Sequence, residues 1–172
     1  MKINKLNNLN ILNTIKRSIH FDKNLELEIE DKEEYNNQAI LITVLASLFA
    51  AIGIEGTNIF GVIISTIIEL IACAFWIAVI VVMVFKILEV RIIPIVLARL
   101  IGISLYPLML MLFAFVPYIG THIAIIGIIL AIITVSLTIR SHTELEPGLS
   151  LALSMIGSIP FIVLNFYLSY QS

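Results

Sequence analysis

Charge is what this chain has least of. Only 13% of its 172 residues are Asp, Glu, Lys or Arg and 60% are hydrophobic, against about 25% and roughly 45–50% in soluble domains. With a mean hydropathy of +1.08, the deficit excludes a soluble globular domain and leaves an integral membrane protein. The net charge is −2 and the ten basic residues are spread along the chain, so there is no basic patch to hold nucleic acid. Cysteine is limited to Cys73, inside an apolar run, which rules out an internal disulfide and reads as a small buried hydrophobe. The Asn- and Lys-rich amino-terminal stretch lacks the apolar core of a cleavable signal, so the first span is expected to direct insertion.

Catalytic and metal-binding patterns are also missing. His20, His122 and His142 are scattered, with no HExxH or paired-acid spacing near them. There is no glycine-rich phosphate loop, no Gly-x-Ser-x-Gly elbow and no aspartate cluster of a lipid phosphotransferase. An enzyme, a metal site and a bound cofactor are therefore not expected.

What the chain does have is five apolar runs, at about Gln38–Ile54, Ile59–Phe85, Ile92–Val116, Gly120–Ile139 and Leu149–Tyr170. Each is long enough to cross a hydrocarbon core of ~30 Å at about 1.5 Å per residue. The expected fold is thus all-α, a bundle of five transmembrane helices (residues 38–172) behind a cytosolic segment (residues 1–37). Lys and Arg number six in the amino-terminal segment, and Lys86, Arg91 and Arg140 lie in the second and fourth connections. The other connections and the carboxy-terminal tail carry none, which orients the amino terminus to the cytoplasm and the carboxy terminus outside.

The segment before the first span has two parts. Leu6, Leu9, Leu12, Ile15 and Ile19 recur at helical spacing with Lys5, Lys16 and Arg17 off the stripe. This predicts a short amphipathic helix that lies either in the headgroup layer or against the protein's own cytosolic loops. Residues 22–37 then carry seven acids against two lysines, and Leu25, Leu27 and Ile29 alternate with Glu26, Glu28 and Glu30. Alternation predicts extended chain, either a solvated linker or an edge on which a partner docks.

Inside the bilayer, small and polar residues mark the faces where helices meet, because lipid tails are as apolar as leucine. The first span offers Ala39, Thr43, Ala46, Ala50 and Gly53. The fourth offers Gly120, Ala124, Gly127, Ala131, Thr134 and Thr138, and the fifth offers Ser154, Ser158, Phe161 and Asn165. On the second, Gly61, Ser65, Glu69, Ala72 and Trp76 share a face, with Glu69 roughly 15 Å from the outer end. An acid at that depth is either a proton or cation site or a helix-ordering group hydrogen-bonded to Asn165 or a hydroxyl. Arg99, two turns into the third span, is expected to snorkel to the headgroups or to pair with Glu89.

The third span also carries a resemblance. Arg99 with Gly102, the Tyr106-Pro107 pair, the VPYIG of Val116 to Gly120 and the GLSLAL of Gly148 to Leu153 resemble the Yip family, membrane proteins named for interaction with Ypt/Rab small GTPases. The likeness covers residues 38–172. It implies five helices without catalytic chemistry, a role in membrane organisation or trafficking, lipid and protein partners, and self-association into homo-oligomers. It also marks Tyr106, Pro107, Pro117, Tyr118 and Gly120 as signature positions that shape helices. The short amino-terminal segment lacks the acidic-aromatic motif of eukaryotic members, so a small GTPase partner follows only from the analogy. The use of Ile, Asn and Lys looks like a prokaryotic branch, in a cell membrane. The expected function is thus that of a non-enzymatic Yip-type protein reached by partners through residues 1–37. The alternative is a small proton- or cation-coupled carrier or channel built on Glu69.

Overall fold

The structure is a computed structural model that describes residues 8–19, 25, 28, 29, 32, 35–90 and 92–171. Among these the secondary structure is helical, in six α-helices: α1 (Asn8–Ile19), α2 (Tyr35–Glu55), α3 (Ile59–Val82), α4 (Pro94–Ser104), α5 (Gly120–Thr143) and α6 (Pro147–Gln171). A π-helical turn, Met83–Ile87, extends α3, and a 3₁₀ segment, Tyr106–Phe115, extends α4. Five stretches are long and apolar enough to cross a membrane: Tyr35–Glu55, Ile59–Ile87, Pro94–Phe115, Gly120–Thr143 and Pro147–Tyr167. The chain is therefore a multi-pass membrane protein.

The third span sits deepest. Of its apolar window 67% is buried, against 33–44% for the other four, so it is the rod around which they pack. The 3₁₀ segment lies between α2 and α5, while α3 packs on α2 and α6, and α6 on α5. Proline explains where the pitch changes. Pro107 has no N–H, and the Leu108 amide bonds Leu105 O instead of reaching back a full α-turn, which frees the carbonyl of Ser104. Thr134 on α5 supplies the missing donor, Oγ1 to Ser104 O at 2.8 Å. A 3₁₀ helix is also thinner and longer per residue, rising about 2.0 Å. Neighbouring backbones close onto it at two glycines. A Cβ at Gly53 would lie 1.9 Å from Met111 O, and one at Gly120 would lie 2.1 Å from Ala114 O.

The faces expected from small-residue spacing are the buried ones. Ala39, Thr43, Ala46, Ala50 and Gly53 are buried on α2, and Ser154, Ser158, Phe161 and Asn165 on α6. Hydroxyls link the helices across these faces. Ser104 Oγ and Thr138 Oγ1 are 2.7 Å apart between α4 and α5, and Ser154 Oγ donates to Ile132 O at 2.8 Å between α6 and α5. Each inter-span connection turns on one left-handed residue: Gly56, Glu89, Tyr118 and Glu144, at φ 59°, 51°, 67° and 54°.

The amino-terminal segment departs from expectation in two ways. Leu25, Glu28 and Ile29 are helical rather than extended. The alternating run also places Leu25 and Ile29 four residues apart, on one helical face, and both are buried in a small core with Ile42, Val96, Leu100 and Ile103. The second departure is the inward face of α1. Ile11 and Ile15 pack against that core and Thr14 is buried, its Oγ1 donating to Gln38 Oε1 at 2.6 Å, whereas Leu12 is 70% exposed. Of the expected stripe Ile15 packs inward and Leu12 faces out, while Thr14, off the stripe, is anchored to α2. Leu6 lies outside the described residues.

Candidate functional site

Two buried ionisable residues define the candidate sites. The first is Glu69, on the face of α3 that also carries Ser65, Ala72 and Trp76, all buried. It is 0% exposed and meets α6, whose Asn165 sits one turn beyond Phe161. Asn165 Nδ2 donates to Glu69 Oε2 at 3.0 Å and to Phe161 O at 2.9 Å. Of the two partners expected from the sequence, the amide is the one found. Three polar atoms nearby on the same two helices stay without partners: Glu69 Oε1, Asn165 Oδ1 and Trp76 Nε1. Trp76 stacks obliquely on Phe161, with centroids 5.8 Å apart. Chemically, two orphaned acceptors can hold one proton or a small cation between helices, and each leaves about 1–3 kcal/mol of desolvation unmet.

The second is Arg99, 6% exposed near the start of α4. The expected pairing with Glu89 is corrected. Its Nε donates to Asn36 Oδ1 at 2.7 Å, and its Nη1 donates to Ile29 O and to Lys32 O, the latter at 3.0 Å. The carbonyls belong to the segment just before α2, and Lys32 O also accepts from the Tyr35 amide at 3.2 Å. Arg99 therefore clamps the amino-terminal segment onto the bundle, while Glu89 stands exposed in its connection. The clamp is reinforced farther out. Arg17 Nη2 lies 3.1 Å from Glu28 Oε1, Lys32 Nζ lies 3.8 Å from Glu28 Oε2, and the Tyr35 hydroxyl donates to Oε2 at 2.9 Å. Hydrogen bonds from Arg17 and then Tyr35 hold the Glu28 carboxyl below its ordinary pKa.

The remaining sequence candidates are dispersed along the third span. Tyr106 is half-buried against the small amino-terminal core, and Pro107 is buried where α4 changes pitch. Pro117 and Tyr118 form the following turn, with Tyr118 97% exposed, and Gly120 is buried at the start of α5. None of the five contributes a hydrogen bond to Glu69 or Arg99. Sequence reasoning missed Asn36 as a supporting group, while Thr134 lies on the face it singled out in the fourth span. The polar Asn-Asn-Gln run opening the first span was the available signal for Asn36. Among the described residues, no three His, Cys, Asp or Glu side chains gather as metal ligands.

Fold and sites together define a five-span helical membrane protein with an amino-terminal segment clamped to one end. No protein-family model, curated protein or solved structure matches this chain.

Proposed function

We propose that this protein is a non-enzymatic, Yip-type membrane protein that works by binding protein or lipid partners, with its amino-terminal segment as the reachable surface. The observation that carries this reading is the Arg99 clamp. A segment anchored through Ile29, Lys32 and Asn36 presents a fixed face, and Leu12, Asn13 and Lys16 are exposed on α1. An apolar residue left out of the core at 70% exposure, on a helix whose other side is packed, is a ready contact. The distribution of Lys and Arg supports placing this end in the cytoplasm and the carboxy terminus outside, and the heavy use of Ile, Asn and Lys supports a prokaryotic cell. A small GTPase remains the partner implied by the family analogy, and self-association a further one.

The test uses the intact chain, because deleting residues 1–37 would strip Arg99 of its acceptors. The tagged protein and its Leu12→Glu variant are purified from their own membrane in mild detergent, and co-purifying proteins are identified by mass spectrometry. A stoichiometric partner present with the parent and missing with Leu12→Glu is expected. Identical, partner-free preparations would overturn the reading.

A carrier or channel is the second reading, favoured by the unpartnered Glu69 Oε1 and Asn165 Oδ1. It requires proton- or cation-dependent flux in reconstituted vesicles that is lost in Glu69→Gln. Flux unchanged by that substitution would remove it.

A further inference from the structure

The clamp does not use all of Arg99. A guanidinium has five N–H donors, and Nε with Nη1 accounts for three, all given to neutral acceptors. Nη2 donates to nothing among the described residues, and no carboxylate there forms an ion pair with this arginine. A side chain more than nine-tenths buried thus keeps a full charge with no counter-ion among the described residues. Such a charge is costly unless an anion completes it. Beside it, among the described residues Asn36 uses only its carbonyl oxygen, leaving its amide nitrogen to donate.

Both residues line a groove of about 480 Å³ between α2, α3 and α4. Its other lining is apolar or small. Ile40, Leu70, Ala74 and Ile95 are exposed along it, so the groove opens on the surface that faces lipid, and Gly102 is buried at its floor. Gly102 is about 4.5 Å farther into the bilayer than Arg99 at 1.5 Å per residue. The groove therefore starts at the headgroup boundary with free N–H donors and a cation, and continues inward as hydrocarbon.

We propose that this groove binds an anionic phospholipid. The headgroup phosphate accepts from Arg99 Nη2 and Asn36 Nδ2, and one acyl chain lies past Ala74 and Gly102. Lipid tails gain little by exchanging hydrocarbon for hydrocarbon, so the chain supplies shape, the charge-assisted hydrogen bonds hold the phosphate, and the Arg99 charge disfavours a headgroup that brings its own cation, such as choline. The site rests on the lipid-binding side of the proposed function and is independent of the protein contact at Leu12.

The experiment titrates the delipidated full chain in mild detergent with phosphatidylglycerol and with phosphatidylcholine of matched chains, counting bound lipids by native mass spectrometry. One phosphatidylglycerol bound with roughly tenfold or greater preference is expected, because the choline cation of phosphatidylcholine would stand beside the Arg99 charge. Arg99→Gln should erase the preference. Because Arg99 also holds the amino-terminal segment, Ala74→Phe provides an arm that keeps it: this substitution fills the groove from an exposed position and should displace the lipid. Inorganic phosphate should not compete. Equal binding of the two lipids, full binding in Ala74→Phe, or displacement by phosphate alone would overturn the proposal.

Discussion

Arg99 and Glu69 are the two charged-type side chains buried among the described residues, and the protein surrounds them in different ways. Arg99 lies at the membrane edge, where a segment some seventy positions earlier folds back to offer it two carbonyls and an amide oxygen. Glu69 lies in mid-bundle, where a single amide from the last helix reaches one of its oxygens. The difference is one of supply. At the edge the chain just before α2 turns its carbonyls toward the arginine, whereas in the middle the helices use theirs along their own axes. An arginine at the edge can therefore recruit a whole segment and still present donors outward. An acid in the centre can order helices but is sealed in.

The comparison breaks hardest at Arg99. Arg99→Leu removes three charge-assisted hydrogen bonds and should cost about 3 kcal/mol of stability. It should also release residues before α2, read as new protease cleavage there with the spans intact. A clamp that is merely incidental would leave the cleavage pattern unchanged. Asn165→Leu should cost less, about 2 kcal/mol, by leaving both Glu69 oxygens without a donor; reversible unfolding in mixed micelles measures it. Glu69→Gln should be nearly neutral, under about 1 kcal/mol, because glutamine keeps an acceptor for Asn165 Nδ2 and adds a donor for Asn165 Oδ1. A large loss in that variant would mean that the carboxyl does more than tie α3 to α6.

The smallest effect concerns pH. The Glu28 carboxyl is depressed by Arg17 and Tyr35, so its contribution to docking is complete above the ordinary glutamate range. It disappears as the pH falls through the depressed value. Hydrogen exchange of α1 should therefore be unchanged at neutral pH and rise only in acid, and Glu28→Gln should remove the acid dependence.

Much of the bundle was legible because small and polar residues at helical spacing can only face other helices. Glu69 with Asn165, and the seams of α2, α5 and α6, follow from spacing alone. The environment of Arg99 was not legible. Snorkelling is the default for an arginine at that depth, and its real partners are main-chain carbonyls, which no residue type advertises. The acidic run misled for a related reason. Alternation and four-residue spacing coincide at Leu25 and Ile29, and only the bundle wall of Val96, Leu100 and Ile103 decides between them. Thr14 turned inward because Gln38 stood opposite. Pro107 marked a break in the third span, but the thinner 3₁₀ rod beyond it depends on Gly53 and Gly120 standing on neighbouring helices.

The proposed division of labour, recognition at the clamped end and helix ordering in the centre, is tested most directly by co-purification from the native membrane with Leu12→Glu and Glu69→Gln side by side. The account predicts a partner lost with Leu12→Glu and retained with Glu69→Gln. A partner that ignores Leu12→Glu, or that disappears with Glu69→Gln, would contradict it.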